Sequence, residues 1–194
     1  DAASFVSGTN LVVDGTLTDV SNTVYAFIED QERDVWYGSL QDQWQFANDW
    51  NLTAGVRYDD YSDFGSTVNP RVALVWDAST DVTAKLLYGR AFRAPSFAEQ
   101  FVINNPVGLG NPDLDPETSN TYELALDYRA SFEMRLGVNV FHYEIEDLID
   151  FVPAGGAQVA QNVGQQTGSG VEFELEWKPR ENIDIDANYA FQTS

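Results

Sequence analysis

From about residue 33 onward, apolar and polar positions alternate with a period of two. One face collects Leu52, Ala54, Val56 and Tyr58, then Val72, Leu74 and Trp76, then Val82, Ala84, Leu86 and Tyr88. It continues with Tyr122, Leu124, Leu126 and Tyr128; with Leu136, Val138, Val140 and His142; and with Val171, Phe173, Leu175 and Trp177. Ile183, Ile185, Ala187, Tyr189 and Phe191 close the series. None of these positions is Asp, Glu, Lys or Arg, whereas the interleaved ones include Arg57, Arg71, Lys85, Glu123, Arg129, Arg135, Glu172, Glu174 and Glu176. That is the pattern of strands with one dry and one wet face. Together with residues 23–29 and 35–46, these segments predict about nine or ten strands.

Connector lengths arrange the strands. Short turns fall at residues 46–50, 77–81, 130–132 and 178–182, and longer connectors occupy residues 61–69, 93–120 and roughly 147–169. Short and long alternate strictly, which predicts an all-β, antiparallel up-and-down meander with tight turns on one rim and loops on the other. Greek-key sandwiches mix the two at both ends. Several segments reach about ten residues, the length of a tilted membrane strand. The stretches near residues 132–152 and 157–179 read as a still longer hairpin that projects past the others. Tyr58, Trp76, Tyr88, Tyr128 and Trp177 sit near segment ends on the dry face. Amphipathic rings at two water–lipid boundaries explain that placement, although large aromatics also close any β-core.

Composition narrows the function class. Lys plus Arg total 10 against 31 Asp plus Glu, a formal charge of −21. A chain so acidic has no basic face with which to displace counterions from nucleic acid or to dock on anionic lipid. It contains no cysteine, so disulfides and cysteine metal sites are excluded. No apolar run approaches the length of a transmembrane helix, a test that membrane barrels escape. His142 is the only histidine, which leaves no basis for a zinc centre or a nucleophile–base pair. An enzyme is therefore not expected, nor a cofactor.

Residues 89–124 read GRAFRAPSFAEQFVINNPVGLGNPDLDPETSNTYEL. This wording resembles a strand-loop-strand block in the barrel of TonB-dependent outer-membrane receptors, with Asp115 standing where Lys is more usual. WNLTAGVRYDDYSDFGSTVNPRVALVW (residues 50–76), FHYEIEDLIDFV (141–152) and GSGVEFELEW (168–177) are similar to the family as well. The resemblance implies part of a 22-stranded transmembrane barrel whose plug domain is absent here. Residues 1–194 are expected to be one partial barrel domain, with residues 1–32 ill defined and 33–194 in clear hairpins. It implies a parent in the outer membrane of a Gram-negative bacterium, bathed by lipid and lipopolysaccharide. Such a parent imports a scarce ligand: a ferric siderophore, haem or cobalamin. TonB is contacted only through the missing plug, so the piece alone is not expected to transport. Two other functions fit the alternation: a soluble β-sandwich that binds a ligand such as carbohydrate, and a structural or adhesive outer-membrane protein.

Within this frame the largest loop offers ligand-binding candidates, Arg93, Asn104, Asn105, Asn111 and Asp113. The same Asn, Pro and Gly residues also simply build turns. Asp59, Asp60 and Asp63 in YDDYSDFGS cluster oxygens of the kind that bind Ca²⁺, although their spacing departs from the EF-hand loop. Glu172, Glu174 and Glu176 would repel along one strand unless that face is wet or paired with Arg57, Arg71, Lys85, Arg129 or Arg135.

Overall fold

A computed structural model describes residues 4–7, 10–13, 16–21, 23, 25–103, 105 and 108–194. Three short strands open the chain: β1 (Ser4–Ser7), β2 (Asn10–Val13) and β3 (Thr16–Asp19). Long strands follow: β4 (Val35–Ala47), β5 (Trp50–Tyr61), β6 (Gly65–Asp77) and β7 (Val82–Arg93). A one-turn helix α1 (Phe97–Phe101) and the two-residue β8 (Gly108–Leu109) interrupt the series. It resumes with β9 (Glu117–Arg129), β10 (Met134–Ala154), β11 (Ala157–Arg180) and β12 (Ile183–Thr193).

The first three strands form their own sheet, and the rest form a nine-stranded sheet in the order β12-β11-β10-β9-β7-β6-β5-β4, with β8 attached to β11. Neighbours on the main path are antiparallel and consecutive among the long strands, as an up-and-down meander requires. The sheet stays open, ending at β4 and β12. Among the described residues no helix is long and apolar enough to cross a membrane, which says nothing of crossing by strands.

Register turns the sequence alternation into a surface. Trp44 faces Leu52, which faces Leu74, then Leu86, Leu124, Val140, Val171 and Phe191, so one apolar row crosses every long strand. A slip of one residue in any strand would send that strand's row to the other face. Among the described residues nothing covers this row: Leu86 is 56% exposed, Leu124 55% and Phe191 54%. A β-sandwich would bury those side chains under a second sheet, and the single layer corrects that alternative. Trp50 stacks on Trp76 at 5.3 Å near one rim, and Tyr88 lies 5.1 Å from Tyr122 toward the other. On the opposite face, the Phe141 and Tyr143 rings lie over their cross-strand partners Gly170 and Gly168, where a Cβ would collide with the ring.

Three expectations need correction. Residues 23–29 are not a strand: their described members form turns and bends, with one bridge between Ile28 and Val102. The remaining sheet member is β8. The connector placed at residues 61–69 shrinks to 62–64, and the one at 147–169 shrinks to Gly155 and Gly156. In both places polar residues carry ladder hydrogen bonds, and a strand that is polar on both faces shows no period of two. The projecting hairpin does exist: β10 runs 21 residues and β11 24, against 11 for β12. At ~3.3 Å per residue such strands far exceed a bilayer core. A bulge between Ile145 and Ile149, with Asp147 at φ 58°, marks where the extension leaves the sheet's regular path.

Among the described residues, the buried hydrophobic side chains are Val20, Ala26, Val102, Leu114 and Ala160. None lies in the body of the meander. Ala26, Val102, Leu114 and Ala160 belong to segments at the rim that carries the loops, so among the described residues the core is a small cap and the main sheet has none of its own.

Candidate functional site

The loop from residue 94 to 116 begins where β7 ends. Pro95 lacks an amide proton and cannot continue the ladder, and Ser96 then caps α1. Ser96 Oγ accepts from the Glu99 amide at 3.2 Å, and Glu99 Oε2 accepts from the Ser96 amide at 2.7 Å, a reciprocal capping box. Arg93 closes the loop. Its Nε donates to Glu117 Oε2 at 2.5 Å and its Nη2 to Glu117 Oε1 at 2.6 Å, while Nη1 and Nη2 reach Glu99 at 3.0 and 3.1 Å. One guanidinium thus joins the first turn of α1 to the start of β9 through two forks. All three residues lie beyond Tyr88 and Tyr122, toward the end of the strands that carries the loops. The Glu117 carboxyl is held below its ordinary range by Arg93, against burial, with help from the Ile149 amide. Burial raises Glu99, but hydrogen bonds from Arg93 and Ser96 outweigh it and leave that carboxyl low as well. Arg93 is held correspondingly high by Glu117 and Glu99.

Glu117 also accepts from the Ile149 amide at 2.9 Å, which fixes the bulge of β10. Beside it, Asn162 Oδ1 accepts from the Asp115 amide at 2.9 Å, and Asn162 Nδ2 donates to the carbonyls of Asp115 and Asp147 at 2.8 and 2.7 Å. Gly108 and Leu109 add in parallel to Gln158 and Val159 of β11, beyond the stretch that β12 occupies. The loop is therefore sewn to the projecting hairpin.

The ligand candidates fare unevenly in this geometry. Arg93 is committed to two carboxylates. Asn111 Oδ1 accepts from the Asp113 amide at 3.0 Å, and the Asn111 amide donates to the Glu99 carbonyl at 2.9 Å, so both residues build the turn. The Asp113 side chain is exposed and Asn105 half-buried, while Asn104 lies outside the described residues. The calcium candidates are not brought together. Asp59, fully buried, pairs with Arg57 at 2.6 Å, Asp63 pairs with Arg33, and Asp60 points to the other face of β5. No group of three possible metal ligands occurs among the described residues. His142 lies 2.8 Å from Ser169 and 3.3 Å from Glu144.

Along the charged face of the sheet, two ionic groups stand out. Near the short-turn rim, Asp127 accepts from Lys85 and Arg135, both at 2.8 Å, and Arg135 also reaches Glu176 at 3.6 Å. Asn139 Nδ2 bridges Glu172 and Glu123 at 3.2 and 3.3 Å, so the Glu ladder draws on an amide as well as on Arg135. Near the loop rim, the Arg57 guanidinium lies 4.6 Å from the Tyr37 ring with its side chain 49% exposed. Arg71 donates to Gln41 at 2.5 Å and covers Gly55. Arg57 and Arg71 are among the expected partners of the Glu ladder, but register places them on β5 and β6, several strands away from it. Arg33, Gln100 and Asn162 carry no local sequence signal at all.

The family model for the TonB dependent receptor-like β-barrel matches residues 4–194. The iron-regulated outer membrane virulence protein of Vibrio cholerae is 30% identical over 82% of this chain, which covers 27% of that protein. The vitamin B12 transporter BtuB of Vibrio cholerae is 32% identical over 70% of this chain, covering 21% of the transporter. Among solved structures, the siderophore receptor PirA from Pseudomonas aeruginosa superposes with a TM-score of 0.71 at 26% identity, over 82% of this chain and 32% of the receptor. The chain thus spans about a quarter of the length of the curated relatives it matches. A match along nearly the whole chain, on a sheet whose register carries one continuous apolar face, places it in the family of TonB-dependent receptor β-barrels.

Proposed function

We propose that this chain is a stretch of barrel wall from an outer-membrane receptor of a Gram-negative bacterium. The whole protein would import a scarce extracellular ligand, of the ferric siderophore, haem or cobalamin kind. The observation that carries it is the uncharged row from Trp44 to Phe191, left without a protein partner and suited to lipid. The charged face then lines the lumen, and the rim bearing residues 94–116 faces outward, near lipopolysaccharide. Residues 1–194 form one partial barrel domain on this reading, and coupling to TonB falls to a plug region that they do not supply.

For ligand contact, Arg57 and Arg71 are better placed than Arg93, because Arg71 bonds the neutral Gln41 and Arg57, though held by Asp59, serves one carboxylate where Arg93 spans two. An anionic ligand suits them, and Asn104, Asn105, Asn111 and Asp113 would contribute at most the loop surface above. The decisive experiment is growth of a receptor-deficient strain on single chelated-iron or cobalamin sources, using the full reading frame. Rescue by one source that Arg57→Gln plus Arg71→Gln weakens at least tenfold in affinity supports the assignment. Rescue by none, with the barrel present in the outer membrane, overturns import. Liposomes holding residues 1–194 alone should show no ligand-specific flux.

A further inference from the structure

Arg33 belongs to the segment that leads into β4, and none of the chemistry above uses it. Its Nε and Nη2 donate to Asp63 Oδ2 at 2.8 and 2.5 Å, in the turn between β5 and β6. The same Nη2 donates to the Pro95 carbonyl at 2.7 Å and to Gln100 Oε1 at 3.0 Å, both in the loop after β7. Three rings surround the guanidinium, with centroids 4.8 Å away for Phe97, 5.4 Å for Phe64 and 5.7 Å for Tyr61. The socket is nearly dry: the Arg33 side chain is 18% exposed, that of Asp63 8%, and Gln100 1%. The backbone supports the same junction, since Ile28 bridges to Val102 and the Ile103 amide donates to the Phe27 carbonyl at 3.2 Å.

These partners lie 30, 62 and 67 residues from Arg33 in sequence. One cation therefore joins three separate segments of the loop rim. Arginine suits the position because its planar fork can bond several acceptors while its faces meet aromatic rings. The junction also depends on it. Asp63 is buried beside Arg33, and Asp63 Oδ1 and Gln100 Nε2 have no hydrogen-bond partner in the protein. Without the cation, a carboxylate would be left in a low-dielectric socket.

We propose that Arg33 is the pin of a latch that makes residues 27–34, the turn at 62–64 and residues 95–103 one rigid body at the barrel mouth. Those segments then move together and not as independent flaps, whichever ligand the receptor takes.

The test uses the full reading frame in outer-membrane vesicles, with any cysteines outside residues 1–194 replaced, since these residues contain none. Spin labels go on Glu29→Cys and Ala98→Cys, both exposed, and dipolar spectroscopy reads the distance distribution between them. The unmutated protein should give one narrow distance. Arg33→Gln should broaden it at least twofold, Arg33→Lys should broaden it too because an ammonium cannot fork, and Arg90→Gln should leave it alone. A second label pair at Thr80→Cys and Glu133→Cys, on the opposite rim, should not change. Should Arg33→Gln fail to assemble, Asp63→Asn takes its place with the same expected broadening. A broad distribution in the unmutated protein, or an unchanged width in the variant that assembles, overturns the latch.

Discussion

At the scale of single residues, Arg93 and Asn162 do more for this rim than their sequence context suggests. Replacing Arg93 with alanine leaves Glu99 and Glu117 facing each other without their shared cation. With the arginine side chain 47% exposed, solvent screening limits the loss to about 1 kcal/mol per fork. Faster hydrogen exchange at Phe97 to Phe101, with β9 unaffected, is the expected readout. The same carboxylates set a pH dependence. Both are held below their ordinary value of 4.5 in the folded protein. Their contribution is therefore complete above about pH 4.5 and is lost as pH falls through the depressed folded value. Protection of the loop should stay level from pH 7 to 5 and decline only below that; a decline centred near pH 6 would contradict it. Asn162→Ala removes three hydrogen bonds to backbone and should free residues 108–116 from β11, seen as proteolytic nicking near Asp113 while the barrel stays intact.

Elements show which half of the molecule was legible in advance. The row from Leu52 to Phe191 could be read because water on one side and lipid on the other impose the same alternation on every strand. A charge in that row should therefore be costly: Leu124→Arg loses about 2–4 kcal/mol if it sits at the bilayer midplane, whereas Thr121→Arg on the wet face costs far less. Urea titration of refolding into vesicles separates the two. Beyond the bilayer that rule lapses. Polar residues such as Gln161, Gln165 and Gln166 in β11 form strand through ladder bonds alone, so the alternation misses them and only the expectation of a long hairpin reaches them. Residues 23–29 err the other way: SNTVYAFIED looks like a strand, yet Ala26 is taken into the cap and Ile28 makes a single bridge to Val102. The site residues were hardest, because a contact between Arg33 and Gln100, or Asp115 and Asn162, leaves no trace in local spacing.

For the whole molecule, the segregation of burial has a thermal consequence. Val20, Ala26, Val102, Leu114 and Ala160 are shielded from water by protein, whereas the strand face is shielded by hydrocarbon before and after any loosening of the cap. Melting the cap therefore hydrates apolar surface and should carry a positive heat-capacity step. Melting the barrel within its micelle should carry much less of one. Scanning calorimetry of the full receptor in detergent should resolve an early transition with that step, sensitive to urea but indifferent to detergent chain length, ahead of the barrel's own. A single transition that shifts as a whole with chain length would show that cap and wall melt as one.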